Sequence, residues 1–227
     1  GKTTIARRLL TLIQEKPEYM HVDSLTVGML VTPALKTETA FLSAIMAEFN
    51  IPPKRSYAKS LTALFDYVLE QRQANPESNT IIVIDEAQKL TPRMLDVVHT
   101  LLNFESNTEK YIQIVLIGQR ELSNNIDHVQ AIKSRVAMFG ELSPLSRDDT
   151  GDLIRFRWHT ASAGKLSDPF TDEAVDAIHF LSGGLPRDIV KLCHVSLLSA
   201  ASKGVKIVEA DDVRNAAKVA QNHRGNE

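Results

Sequence analysis

Ile81-Ile82-Val83-Ile84-Asp85-Glu86 is the stretch that decides how the rest of the chain is read. Its first four residues form a short, fully apolar strand, as expected in a parallel sheet covered on both faces. Its last two are acids. The carboxyl end of a strand is where parallel α/β sheets place their ligands. Two acids there can divide the labour: the first holds the hydration shell of a Mg²⁺ ion, and the second polarises an attacking water. The same pattern also fits a strand that simply runs into a solvated turn.

Upstream, Gly1-Lys2-Thr3-Thr4 opens an amphipathic helix over Thr3 to Lys16, with Ile5, Leu9, Leu12 and Ile13 on one stripe. This matches the second half of the phosphate-loop pattern G-x-x-x-x-G-K-[ST]. In that pattern backbone amides turn toward phosphate oxygens, the lysine reaches the β/γ-phosphates, and the hydroxyl binds Mg²⁺. A GKT tripeptide alone arises often by chance. Followed by the Asp85-Glu86 strand, it points to a nucleotide. The first glycine of the pattern and a strand before it are expected upstream of Gly1. Without that strand, those led by Leu25, Ile81 and Ile112 are expected to leave a gap in the sheet.

Between these motifs, Leu25–Val31 reads as a buried strand, and helices are expected over Thr37–Phe49 and Ser60–Gln73. Thr91-Pro92 is an N-cap followed by proline at the first helical position, opening a helix to about Phe104. Ile112 to Ile117 is another apolar strand, closed by Gly118. Ala131 to Val136 ends a helix, and Ala137 to Leu142 is expected as a short last strand. After Pro144 no strand is evident. A capping box at Ser146 and Asp149 opens a helix that stops at Gly164. Further helices are expected over Thr171–Leu181, Pro186–Lys203 and Glu209–Asn222. The division is an α/β part over 1–143 and an all-helical part over 144–227.

Three polar positions extend the candidate site. Gln119, just after an apolar strand, can reach a γ-phosphate or position water, or can be an ordinary turn glutamine. Arg135, late in the α/β part, can point at a neighbouring subunit's nucleotide, or can be a surface charge. Gly183-Gly184-Leu185-Pro186-Arg187 stops one helix and starts another. Arg187 is thus in a first helical turn, where it can fold back onto phosphate or simply mark a corner.

Composition narrows the classes. The chain has 227 residues, 43% of them hydrophobic, and a net charge of −2. That suits one large domain or two small ones and advertises no global field for nucleic acid. Cys193 is the only cysteine, so disulfide scaffolds within the chain are excluded, and it reads as core. The histidines fall at no metal-ligand spacing, and no G-x-S-x-G nucleophile motif occurs. No apolar run is long enough to span a bilayer, and a cytoplasmic protein is expected.

The segments GKTT, IIVIDEAQKL, IQIVLIGQREL, SRV…FGELSPLS and AG…PFTDEAVDAIHFLSGGLPRDIVKLC occur in this order. In that order the chain resembles the ExeA-like AAA+ ATPases, a group that includes the general secretion pathway protein A ATPases and the TniB/TnsC transposition regulators. The resemblance implies an α/β P-loop NTPase fold: a three-layer αβα sandwich with a parallel sheet and a small all-helical lid. It implies ATP and Mg²⁺ as ligands. Gly1, Lys2, Thr3 and Thr4 would belong to the phosphate loop, with Thr3 and Asp85 on Mg²⁺ and Glu86 as base. Gln119 would sit at the sensor-1 place, Arg135 would be a trans-acting finger, and Arg187 the sensor-2 arginine. Position 120 departs from the family, with arginine where relatives often have proline.

The function expected from these parts is ATP hydrolysis by a homo-oligomer, a ring or a filament. Its expected task is control of a DNA transaction such as transposition, with DNA and a transposase-like protein as partners. The alternatives are an assembly ATPase of a secretion system and a nucleotide-switch scaffold.

Overall fold

A computed structural model describes residues 1–15, 24–31, 33, 35–106 and 109–222. Strand β2 (Ser78–Ile84) lies in the middle of a three-stranded parallel sheet, between β1 (Ser24–Leu30) and β3 (Ile112–Leu116). The register brings Leu30, Ile84 and Leu116 level. All three strands therefore end along one edge, and Asp85 and Glu86 emerge in the middle of it. Ile81 to Ile84 are buried along their whole length, which is why this strand carries no polar alternation.

Chain contacts divide the protein into two compact units, Lys2–Gly140 and Glu141–Glu227. In the first, α2 (Glu38–Glu48), α3 (Tyr57–Ala74) and α4 (Pro92–Leu102) bury Phe41, Leu42, Ile45, Leu64, Met94 and Leu101 in one core with Ile82 and Ile84. Thr37, Ser56 and Thr91 cap these three helices by accepting from backbone amides of the first turn. Pro92 occupies a first-turn position of α4, where no amide partner is needed.

The structure corrects five of the expectations. β2 is paired on both sides, so no gap separates the strands led by Leu25, Ile81 and Ile112. β1 is an edge strand, its residues Leu25 to Leu30 half-buried apart from Gly28, because it has β2 on one side only among the described residues. Ala137–Leu142 forms no strand: it pairs with no described strand, and Met138, Phe139 and Leu142 are exposed. The helix before it is two short ones, α5 (Glu121–Asp127) and α6 (Gln130–Lys133).

The fifth correction concerns α1 (Lys2–Glu15). Ile5 and Leu9 are exposed, whereas Ala6 is buried and Thr3 and Leu10 are half-buried. Residues 3, 6 and 10 share one helix face. The Thr3 hydroxyl on this face bonds to Asp85, as described below, and of the expected stripe Leu12 is half-buried.

The second unit is helical: α7 (Arg147–Ala161), α8 (Asp172–Ser182), α9 (Pro186–Ser202) and α10 (Ala210–Asn222). Ile154, Ile178, Ile189, Leu192, Val208 and Val213 form its core. Ser146 and Asp149 complete the capping box at the start of α7. Burial pushes the Cys193 thiol up to about 12, so it remains a thiol at neutral pH.

Gly183 and Gly184 end α8 at φ 58° and 72°, where side chains are disfavoured. The two differ in surroundings. A Cβ on Gly183 meets open space, whereas one on Gly184 would lie 2.3 Å from the Leu145 carbonyl oxygen. Gly183→Ala is expected to cost about 1 kcal/mol. Gly184→Ala adds a backbone clash and is expected to cost roughly 2–4 kcal/mol. Urea titration of both variants by circular dichroism checks this. Equal losses would contradict the packing of Leu145 on this corner.

Candidate functional site

Lys2 and Thr3 occupy the first turn of α1, where backbone amides lack partners inside the helix and favour an anion. The Thr3 hydroxyl donates to Asp85 Oδ2, joining residues 82 apart in sequence. Asp85 is only 2% exposed. Its Oδ1 accepts the Glu86 amide at 2.9 Å, and its own amide donates to the Leu30 carbonyl at 2.9 Å. A buried carboxylate needs compensating donors or a cation. The hydroxyl and the carboxylate side by side are the hard oxygen donors that suit Mg²⁺, so these residues fit the ion. Lys2 is half-buried and forms no ion pair among the described residues; Gly1 and Thr4 are exposed.

Glu86 leaves β2 in the left-handed conformation, φ 53° and ψ 33°. For a non-glycine residue this costs on the order of 1–3 kcal/mol, and such strain persists where the surroundings over-determine it. Here they do so clearly. The Ala87 amide donates to the Ile117 carbonyl at 2.8 Å, tying the turn after β2 to the end of β3. Glu86 Oε2 accepts from Gln88 Nε2 at 3.1 Å and pairs with Lys89 Nζ at 3.1 Å.

Gln119 follows β3 and Gly118, and its amide donates to Gln88 Oε1 at 3.2 Å. The structure thus brings Thr3 to Asp85, and Glu86 to the Gln119 turn through Gln88. Gln88 and Lys89 were within the quoted segment, but nothing in their spacing assigned them a role. Arg120 has φ −56°, a value a proline would also adopt. Arginine in place of the family's proline is therefore compatible with the same backbone path.

Arg135 lies just beyond α6, is half-buried, and donates to the Ala131 carbonyl at 3.4 Å. No carboxylate among the described residues pairs with it. Arg187 lies in the first turn of α9, after Pro186, exposed and in the helical unit. Neither arginine is joined to the Thr3–Asp85 pair by a contact within its own unit. Among the described residues no helix is long and apolar enough to cross a membrane.

The chain is similar to several known proteins. Residues 1–126 match the family described as AAA domain. General secretion pathway protein A of Aeromonas hydrophila is 34% identical over 216 residues, covering 93% of this chain and 37% of that protein. The chain thus spans little more than a third of that relative. Among solved structures, Cdc6p of Pyrobaculum aerophilum superposes with a TM-score of 0.65 at 20% identity, over 96% of this chain and 57% of that one. The Aeropyrum pernix ORC2 protein, in its ADPNP–ADP complexes, gives 0.65 at 18% identity, over 96% and 58%. These two likenesses show the fold alone, α/β with a parallel sheet. The buried strand with its two acids, the helix that opens with Lys2 and Thr3, and the match over 1–126 agree: the chain belongs to the AAA domain family of ATPases.

Proposed function

We propose that this chain binds ATP with Mg²⁺ and hydrolyses it within an oligomer. The observation that carries the reading is the Thr3–Asp85 hydrogen bond, which joins the first turn of α1 to the end of β2, 82 residues further along the chain. Thr3 and Asp85 would hold Mg²⁺, which when bound neutralises charge on the β- and γ-phosphate oxygens. Lys2 and the free amides of the first α1 turn bind the phosphates. Glu86 orients a water and takes its proton during in-line attack. Gln119 would position that water, Arg187 would contact a phosphate, and Arg135 would serve a neighbouring subunit's site.

Two readings of the work driven have support. The motif order shared with transposition regulators favours control of a DNA transaction, through DNA binding and recruitment of a transposase-like protein. The 34% identity to General secretion pathway protein A favours an assembly role in a secretion system. DNA binding separates them. With a net charge of −2, one subunit holds DNA weakly, and several subunits must each add a few Lys/Arg contacts. Binding with a non-hydrolysable ATP analogue should therefore exceed binding without nucleotide. It should also fall by about 10³-fold or more between 50 and 200 mM salt. Fluorescence anisotropy with duplex DNA measures both. Absence of binding under every nucleotide condition would sink the DNA reading and leave the secretion reading.

A further inference from the structure

We infer that Gln88 is a positioning residue for ATP hydrolysis, holding the Glu86 carboxylate and the Gln119 turn in one fixed relation. The inference rests on the proposal that Glu86 is the base. The Gln88 side-chain amide is spent at both ends: Nε2 donates to Glu86 Oε2 at 3.1 Å, and Oε1 accepts the Gln119 amide at 3.2 Å. Its orientation is determined by chemistry, since a carboxylate facing it can only accept and a backbone amide can only donate. The backbone of the same residue is held too, its carbonyl accepting from Asn125 Nδ2 at 3.1 Å.

The neighbourhood is shaped around this side chain. A Cβ on Gly118 would lie 2.9 Å from Gln88 Oε1, so the glycine before Gln119 is what lets the amide come this close. Gln88 Nε2 and Lys89 Nζ both engage Oε2 of Glu86. Among the described residues no donor reaches Oε1, which is left to accept from water. Glu86 is on a strained turn and its side chain is 32% exposed, so its carboxylate is aimed by these partners rather than by packing. Because Gln88 also grips the turn that carries Gln119, a shift of that turn is felt at the base.

The test uses full-length protein, with ATP turnover and nucleotide binding measured for Gln88→Met and Gln88→Glu. Methionine keeps the length and packing but neither hydrogen bond. Glutamate keeps the acceptor for the Gln119 amide and replaces the donor to Glu86 by a like charge. Both are expected to lower kcat at least tenfold, with KM and the nucleotide Kd within about twofold of the parent and an unchanged thermal melt. Single-turnover rates of Gln88→Met in a Glu86→Gln background should then show no further loss, because Gln88 acts through Glu86. Parent-like kcat in both variants overturns the inference, and so does a full additional loss in the double variant. Failure of the base assignment looks different: Glu86→Gln alone would turn over ATP at the parent rate.

Discussion

Glu86→Gln should slow ATP hydrolysis by about 10²–10⁴-fold while leaving nucleotide bound. The substitution keeps the shape and one acceptor oxygen, so the contact from Gln88 can persist. It removes the ability to take a proton from water, which for a positioned base is worth about 10²–10⁴-fold in rate. It also removes the ion pair with Lys89, whose side chain is 47% exposed. At that exposure the pair contributes at most about 1 kcal/mol, and the fold should survive its loss. The phosphate contacts assigned to Lys2, Thr3 and the α1 amides are untouched, so Kd for ATP should stay within about twofold. Phosphate release and calorimetric titration on one preparation measure the two quantities. Turnover at the parent rate would remove Glu86 from the mechanism and return Asp85-Glu86 to a structural strand end.

Arg135→Ala should bind ATP almost normally and hydrolyse it poorly. An arginine supplied in trans stabilises charge that develops only in the transition state, so it adds rate by about 10³–10⁵ and little to ground-state binding. Arg135 has the setting this needs. It sits just past α6, and its guanidinium pairs with no described carboxylate. A mixing experiment separates a neighbour's site from its own. Arg135→Ala subunits keep Glu86, and Glu86→Gln subunits keep Arg135. Neither alone should turn over ATP. Mixed, some interfaces pair an intact Glu86 with an intact Arg135, and part of the activity should return. No recovery on mixing, or a fully active single variant, would show that Arg135 is not a trans-acting group.

The β2 strand and its two acids were legible because full burial between two neighbours leaves an unbroken apolar run in the sequence. Helix starts were legible for a local reason. Thr91-Pro92, Ser146 with Asp149, and Thr171 each satisfy amides within the next few residues. What could not be read was set by partners far along the chain. The exposure of Ile5 and Leu9 on α1 was not legible, and neither was the bond from Thr3 to Asp85, 82 residues away. Ala137–Leu142 is partly apolar, but a short apolar stretch does not provide a pairing edge. Glu86 in a left-handed turn has no local signature, since its conformation is imposed by the bonds from Ala87 to Ile117 and from Gln119 to Gln88. Gln88 was hidden for the same reason. Its role depends on two chain segments that meet only in the fold.

On the proposed function, Lys2, Thr3 and Asp85 form one Mg²⁺-dependent ATP site. Calorimetric titration of the full-length protein with ATP, with Mg²⁺ and with a chelator, tests it most directly, alongside Lys2→Ala and Asp85→Asn. One ATP per subunit is expected to bind with Mg²⁺. Affinity should fall by at least tenfold in Lys2→Ala, and the response to Mg²⁺ should vanish in Asp85→Asn while both variants keep the parent's melting curve. ATP binding that ignores Mg²⁺ and survives both substitutions, or no binding by the parent at millimolar ATP, would contradict it.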